Sequence, residues 1–275
     1  MAFLVSPGVQ VKELDLTNVV PAVSTSLGGY AGTFNWGPIE AYVTVSSEKE
    51  LVENYGKPTS ASTQSFHTAA SFLKYGNDLK IVRAGGSGAL NATSGQSTSH
   101  GVLIKNRAAY EAGGLSTTVG VFAAKWAGAL GNNVGVSVCT AGGGFSGWSF
   151  ASNFDAAPGT SNFAAAAGSA NDELHIVVYD ATGYLTGTAN TVLEKFAHVS
   201  QASDALKEDG TSNYYVNVLS MDSLWVWQLA HPTTANSGSG NALSDAGTSA
   251  YATASFTVPA DVIDYTLSGG VNPTV

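Results

Sequence analysis

Five histidines, 20 acidic residues, one cysteine and two glycine-rich runs are the parts of this 275-residue chain that chemistry would have to use. His67 falls in a small-residue helical pattern, His100 in a Gly/Ser/Thr stretch, His175 inside an apolar strand, His198 on a predicted helix and His231 just before Pro232. None is spaced with another His, Cys or Asp as a pair of metal ligands would be. Asp204, Glu208 and Asp209 cluster before Gly210, but they lack the alternating oxygen ligands of a calcium loop and read as a solvated helix end. The runs Gly85-Gly86-Ser87-Gly88 and Gly142-Gly143-Gly144 lack the Lys-Ser/Thr ending of a phosphate-binding loop. Asn91-Ala92-Thr93 is a glycan acceptor triplet in form only, since nothing in the sequence points to a secretory path. Trp225 and Trp227 would share a strand face, as a carbohydrate platform or as packing against a neighbouring layer. No metal, cofactor or catalytic constellation is expected from these residues.

The remaining composition favours close packing over chemistry. Charged residues make up 11% of the chain and apolar residues 44%, with 32 glycines. A surface poor in charge has little to desolvate where copies of a subunit meet. The formal net charge of −9 disfavours a surface built to neutralise phosphate, so no direct nucleic-acid partner is expected. No apolar run approaches the roughly 20 residues of a membrane span, and the start, MAFLVSPGVQVKEL, lacks the pattern of a secretory signal. The lone Cys139 ends the alternation Val134, Val136, Val138 and reads as a buried strand residue. Folding in the cytoplasm without membrane insertion is the expectation.

The elements that would position these side chains begin with residues 1–23, an arm in which Val9 and Val11 alternate with Gln10 and Lys12 after the breaker pair Pro7-Gly8. An isolated strand of this kind cannot satisfy its own backbone and needs a sheet to join. Residues 25–34 and 41–45 read as strands. Ser47 and Glu50 have capping-box spacing before a short helix carrying Leu51 and Tyr55 on one face. Phe66, Ala69, Ala70 and Leu73 repeat at helical spacing, and the run from Leu79 to Ala84 is a strand. The order resembles half of an α/β layer. A flexible Gly/Ser/Thr connection follows Ala84, and a domain boundary is placed there. Downstream, strands are predicted at 101–105, 134–139, 174–179, 224–227 and 262–267. A helix is predicted from Thr191, with Glu194 completing a capping box and Val192, Phe196 and Val199 as its inner stripe. Residues 141–170 and 232–250 read as long surface loops, and the tail SGGVNPTV as an end without a packed element.

Several stretches, in order, resemble contractile-tail sheath proteins of T-even-type myoviruses. They include Ser6-Pro7-Gly8-Val9, Phe34-Asn35-Trp36-Gly37-Pro38, Tyr55-Gly56-Lys57-Pro58, and Phe72 to Leu79 ending in Val82-Arg83-Ala84. Val102 to Asn106, Ala124 to Asn132, Val192 to Phe196, Ser203 to Ala205 and Gly210 to Tyr215 continue the likeness. Each motif is weak alone; their shared order is what carries the resemblance.

The resemblance implies an α+β, multidomain sheath-type subunit. It would comprise an N-terminal linker arm (1–23), the first part of a conserved α/β core domain (24–86), a β-rich outer domain with Gly/Ser/Ala-rich loops (87–268) and the start of a connection (269–275). The C-terminal domain that completes the α/β core in the family is expected to be missing, and a large outer protrusion is not expected. The implied role is a late virion protein, assembled in the host cytoplasm, that polymerises with copies of itself around the tail tube between baseplate and tail terminator proteins. Contraction would then drive the tube through the host envelope for genome ejection. The arm residues Val9, Gln10, Val11, Lys12 and Glu13 would add a strand to a neighbouring subunit, or form an edge strand within their own subunit. A phage-derived injection device or bacteriocin sheath, or a carbohydrate- or receptor-binding virion protein, are the alternatives.

Overall fold

In the first sheet the chain alternates between a face packed on helices and a face left open. The computed structural model describes residues 27–95, 101–115, 119–232, 243 and 247–274. It is a mixed α+β structure with three sheets and short helices among those residues. β1 (Leu27–Gly32), β2 (Tyr42–Val45) and β3 (Asp78–Arg83) form one sheet in the order β1-β3-β2. The β1–β3 pair is parallel and the β2–β3 pair antiparallel.

α1 (Glu48–Tyr55) and α2 (Thr63–Leu73) cover one face of this sheet. The expected cap is present: the Glu50 N–H donates to Ser47 Oγ at 3.3 Å, while the Glu50 carboxylate accepts the Ser46 N–H at 2.8 Å. Leu51 and Tyr55 both turn inward onto Phe34, Phe66, Leu79 and Ile81, as their four-residue spacing requires. The Tyr55 hydroxyl donates to the Ile81 carbonyl at 2.7 Å, tying α1 to the central strand.

The larger body is organised by a four-stranded antiparallel sheet, β7-β6-β5-β9, made of β5 (Val134–Thr140), β6 (Glu173–Asp180), β7 (Thr191–Ser200) and β9 (Ile263–Thr266). Val136, Ile176, Val178, Ile263 and Tyr265 line one face, against α5 (Tyr215–Asp222) and the small pair β4 (Phe122–Ala124) and β8 (Val226–Gln228). Cys139, Val177 and Tyr179 line the other, under Trp148 and Phe150. Two short helices, α3 (Arg107–Glu111) and α4 (Asn162–Ala167), lie in the connections.

Five expectations change. The helix predicted from Thr191 is β7. Val199 pairs with Leu174 but Phe196 with Ile176, and Glu194 pairs with Val178 but Val192 with Tyr179, so each of two bulges inserts one residue. One bulge widens the spacing of Phe196 and Val199 on one face from two to three, while Val192 packs on the opposite face, so the apparent helical stripe mixes the two sides of a strand. The Glu194 carboxylate does not cap a helix; it accepts the Leu224 N–H and the Ser223 hydroxyl, both at 2.7 Å. Residues 101–105 are not a strand either. Ile104 is fully buried and its N–H donates to the Asn91 side chain at 2.7 Å, so a side chain replaces the missing ladder partner.

Residues 85–95, expected to be a flexible connection, are paired instead: Ser87, Leu90 and Thr93 bridge Thr274, Val271 and Ser268. A Cβ at Gly86 would lie 1.9 Å from the Thr274 carbonyl oxygen, so glycine is what permits that approach. The same pairing gives the tail a packed position. Finally, 141–170 is more than a surface loop, because Trp148, Phe150 and Ala164 from it are buried.

Candidate assembly surface

The open face of the first sheet is the feature that stands out. Tyr42 is 66% exposed and Leu27 is 59% exposed. The two adjacent glycines of β1 mark the two faces. A Cβ on Gly28 would meet Phe72 and Leu79 within 2.8 Å, whereas a Cβ on Gly29 would meet nothing within 4 Å. Lys80 lies on the open face with its Nζ 5.2 Å from the Tyr42 ring centroid. A parallel pair is ordinarily covered on both sides, so among the described residues this face and the outer edges of β1 and β2 present apolar surface and backbone groups without a strand or layer against them. β1 carries no charge, proline or bulge to blunt its edge.

Arg83, at the end of β3, joins this sheet to the larger body. It is fully buried, and its Nε donates to the Phe34 carbonyl at 2.8 Å. Its Nη1 donates to Gly37 at 3.0 Å and to Ala127 at 2.6 Å. Burial lowers its pKa to about 10, with the guanidinium held by carbonyl dipoles. Beside this junction is a cleft of about 800 Å³, bounded by Trp36 and Val52 on one side and Leu130, Leu185 and Trp225 on the other. Trp36 and Trp225 meet there at 5.6 Å between ring centroids.

Residues singled out for chemistry are dispersed or buried. Trp225 and Trp227 do not form an exposed pair: Trp227 is buried, stacked on Tyr110 at 4.2 Å, and donates from Nε1 to the Lys125 carbonyl at 2.7 Å. The Lys125 ammonium sits 3.4 Å from the Trp227 ring centroid, and burial lowers its pKa to about 8. Asn91 is buried and its amide donates to Ala124 at 2.9 Å, which removes it from any glycan acceptor role. The acidic cluster is not a helix end. Asp204 accepts the Ala250 N–H at 2.9 Å and so holds a segment 46 residues away, while Asp209 accepts the Thr211 N–H at 2.9 Å and closes its own turn. Among the described residues no group of three or more His, Cys, Asp or Glu side chains has the geometry to hold a metal.

The structure does bring together one pair that spacing in the sequence conceals: His175 and His198 lie 4.5 Å apart between ring centroids on adjacent strands. His67 lies on α2, His231 follows β8, and His100 lies outside the described residues. So do the arm residues Val9, Gln10, Val11, Lys12 and Glu13.

The open sheet is the part that a family model matches. Residues 28–84 match the family described as tail sheath protein Gp18, domain III N-terminal region. The chain is similar to phage tail sheath proteins. The tail sheath protein of Salmonella phage ViI is 32% identical over 193 residues, which are 70% of this chain and 28% of that one. Its counterpart in Enterobacteria phage T4 is 42% identical over 81 residues, 30% of this chain and 12% of the relative. The chain therefore spans under a third of the length of these sheath proteins. Among solved structures, a sheath tail protein from Listeria innocua aligns over 90% of this chain and 34% of its own, with 14% identity and a TM-score of 0.41. One from Desulfitobacterium hafniense aligns over 98% and 40%, with 12% identity and a TM-score of 0.39.

Proposed function

We propose that this chain is a structural, non-catalytic subunit of a contractile phage tail sheath, polymerising with copies of itself around the tail tube. The supporting observation is that the sheath-matched stretch, 28–84, forms a sheet that, among the described residues, has an open face and an edge strand without charge, proline or bulge. Such a sheet leaves backbone and apolar groups for other chain segments to complete.

In this reading the division into arm (1–23), core (24–86), outer body (87–268) and connection (269–275) is functional. Residues Val9 to Glu13 add a strand to a sister subunit and hold the lattice together while the bodies rotate and slide. Contraction is driven by many small contact gains repeated identically in every subunit, and it pushes the tube through the host envelope. Baseplate and tail terminator proteins bound the polymer, which forms in the host cytoplasm and becomes part of the virion.

Deletion of residues 1–20 from the complete reading frame tests this directly. Wild-type protein is expected to form tubes in negative-stain micrographs, and the deletion variant to remain a folded monomer by circular dichroism and sedimentation. Tubes from the deletion variant would refute the arm's role, and failure of the wild type to assemble under any ionic condition would refute the sheath reading.

A further inference from the structure

We propose that His175 is an acid-sensitive stitch: adding a proton to its Nδ1 opens the bulge of β7 at Ala197 and His198 and frees residues 145–156 from the sheet beneath them. The stitch is visible in the pairing. Val199 faces Leu174 and Phe196 faces Ile176, so Ala197 and His198 together stand opposite His175. His198 has a left-handed backbone, with φ of 51°. Its N–H donates to Nδ1 of the His175 ring at 3.1 Å.

The other ring nitrogen is equally committed. Nε2 lies 2.8 Å from the Ala156 carbonyl oxygen, an atom that only accepts, so the ring proton resides on Nε2. His175 is thereby held neutral in one tautomer by two backbone groups from different segments. Phe154 lies parallel to the ring at 4.2 Å and Phe145 meets it at 5.9 Å, so the imidazole is also the floor on which the 145–156 cover packs.

A second ring proton sets N–H against N–H across this contact and leaves the His198 amide without its acceptor. The Phe154 face offers a cation partial compensation, but the ring is fully buried and a charge there is poorly solvated. The charged and titratable neighbours do not reverse this. Glu173 on β6 already accepts the Gly159 N–H at 2.8 Å and contacts His198 Nδ1 at 3.0 Å. Lys195 on β7 lies 5.7 Å from the Phe154 centroid and adds like charge. Cys139, opposite on β5, stays a neutral thiol because burial raises its pKa to about 11. Asp155 and Asp261 on the flanking loops and Asp264 on β9 are exposed.

Burial lowers the His175 pKa, outweighing the opposing influence of the Ala156 bond and Glu173. A folded value below the unfolded one, about 6.5 for histidine, means that the stitch is intact above that pH. Its stabilisation is lost as pH falls through that value, until the folded pKa is passed.

Hydrogen exchange of the whole chain at pH 7 and pH 5, corrected for intrinsic rates, tests the stitch. Exchange at His198 and across 145–156 should rise by about tenfold or more, one proton permitting at most about tenfold per pH unit. In His175→Asn the side-chain oxygen can take the His198 N–H without titrating, and the rise should vanish. In His198→Asn, which tolerates the left-handed backbone, the rise should persist. The same rise in His175→Asn as in wild type, or its loss in His198→Asn, overturns the proposal. Should His175→Asn fail to fold, imidazole nitrogen spectra of the wild type still decide. A proton on Nε2 alone at pH 7 supports the stitch, and one on Nδ1 overturns it.

Discussion

The two large sheets of this molecule solve the same problem in opposite ways. The four-stranded sheet is sealed on both faces, by α5 with the β4–β8 pair on one side and by the 145–154 segment on the other. Its long edge strand, β7, carries Glu194 and Lys195 and is broken by two bulges, the usual means of discouraging a further strand. Among the described residues, the three-stranded sheet has helices on one face only and an edge made of LGGYAG. One sheet is thus covered on both faces among the described residues and the other is not, and the family model falls on the second. Under the proposed function, self-sufficiency and assembly reside in different parts of a single chain.

The sharpest way to break that contrast is to damage the sealed sheet. Ile176, fully buried in β6, should lose about 3 to 4 kcal/mol of stability when changed to Ala, through lost burial and an unfilled cavity. Equilibrium urea unfolding measures it, and a loss under about 1 kcal/mol would show that the sheet is not the stabilising body. Next comes the junction. Arg83→Met removes a guanidinium that donates to Phe34, Gly37 and Ala127, and leaves those carbonyls without that donor. A loss of about 2 to 3 kcal/mol is expected. Faster proteolysis within 34–38 and 125–128 should accompany it, and protection unchanged at both places would mean the two bodies hold together without this residue.

The smallest effect concerns the two faces of β1. Gly28→Ala should cost about 1 to 2 kcal/mol, because the new Cβ meets Phe72 at 2.6 Å. Gly29→Ala should be neutral or stabilising by up to about 1 kcal/mol, since its Cβ meets nothing and the unfolded chain is restricted. Equal losses from both would mean that the outer face is covered too.

The first sheet and its helices are readable in the sequence because their signals are local. Ser47 with Glu50, Leu51 with Tyr55, and the repeat from Phe66 to Leu73 each act within one or two turns. β7 is misread for the opposite reason, since a bulge is defined by the partner strand and leaves no mark of its own. The His175 and His198 contact is hidden likewise, the two being 23 residues apart and joined through a backbone N–H. Asn91 is another such case. A buried amide standing in for ladder partners of Ile104 looks, in the sequence, like an ordinary polar residue of a linker. The open face, by contrast, shows only in how little β1 alternates, with Gly28 and Gly29 side by side.

The bridges from Ser87, Leu90 and Thr93 to Thr274, Val271 and Ser268 have a mechanical meaning. They place the strand that leaves the first sheet alongside the strand that returns from the larger body, so everything between is a detour closed at its neck. Tension running along the first sheet and onward past residue 271 would cross that neck by shearing a few backbone hydrogen bonds, and the sealed body would hang beside the line of force without being stretched. Its loops are then free to lengthen or shrink with little effect on whatever load the first sheet bears.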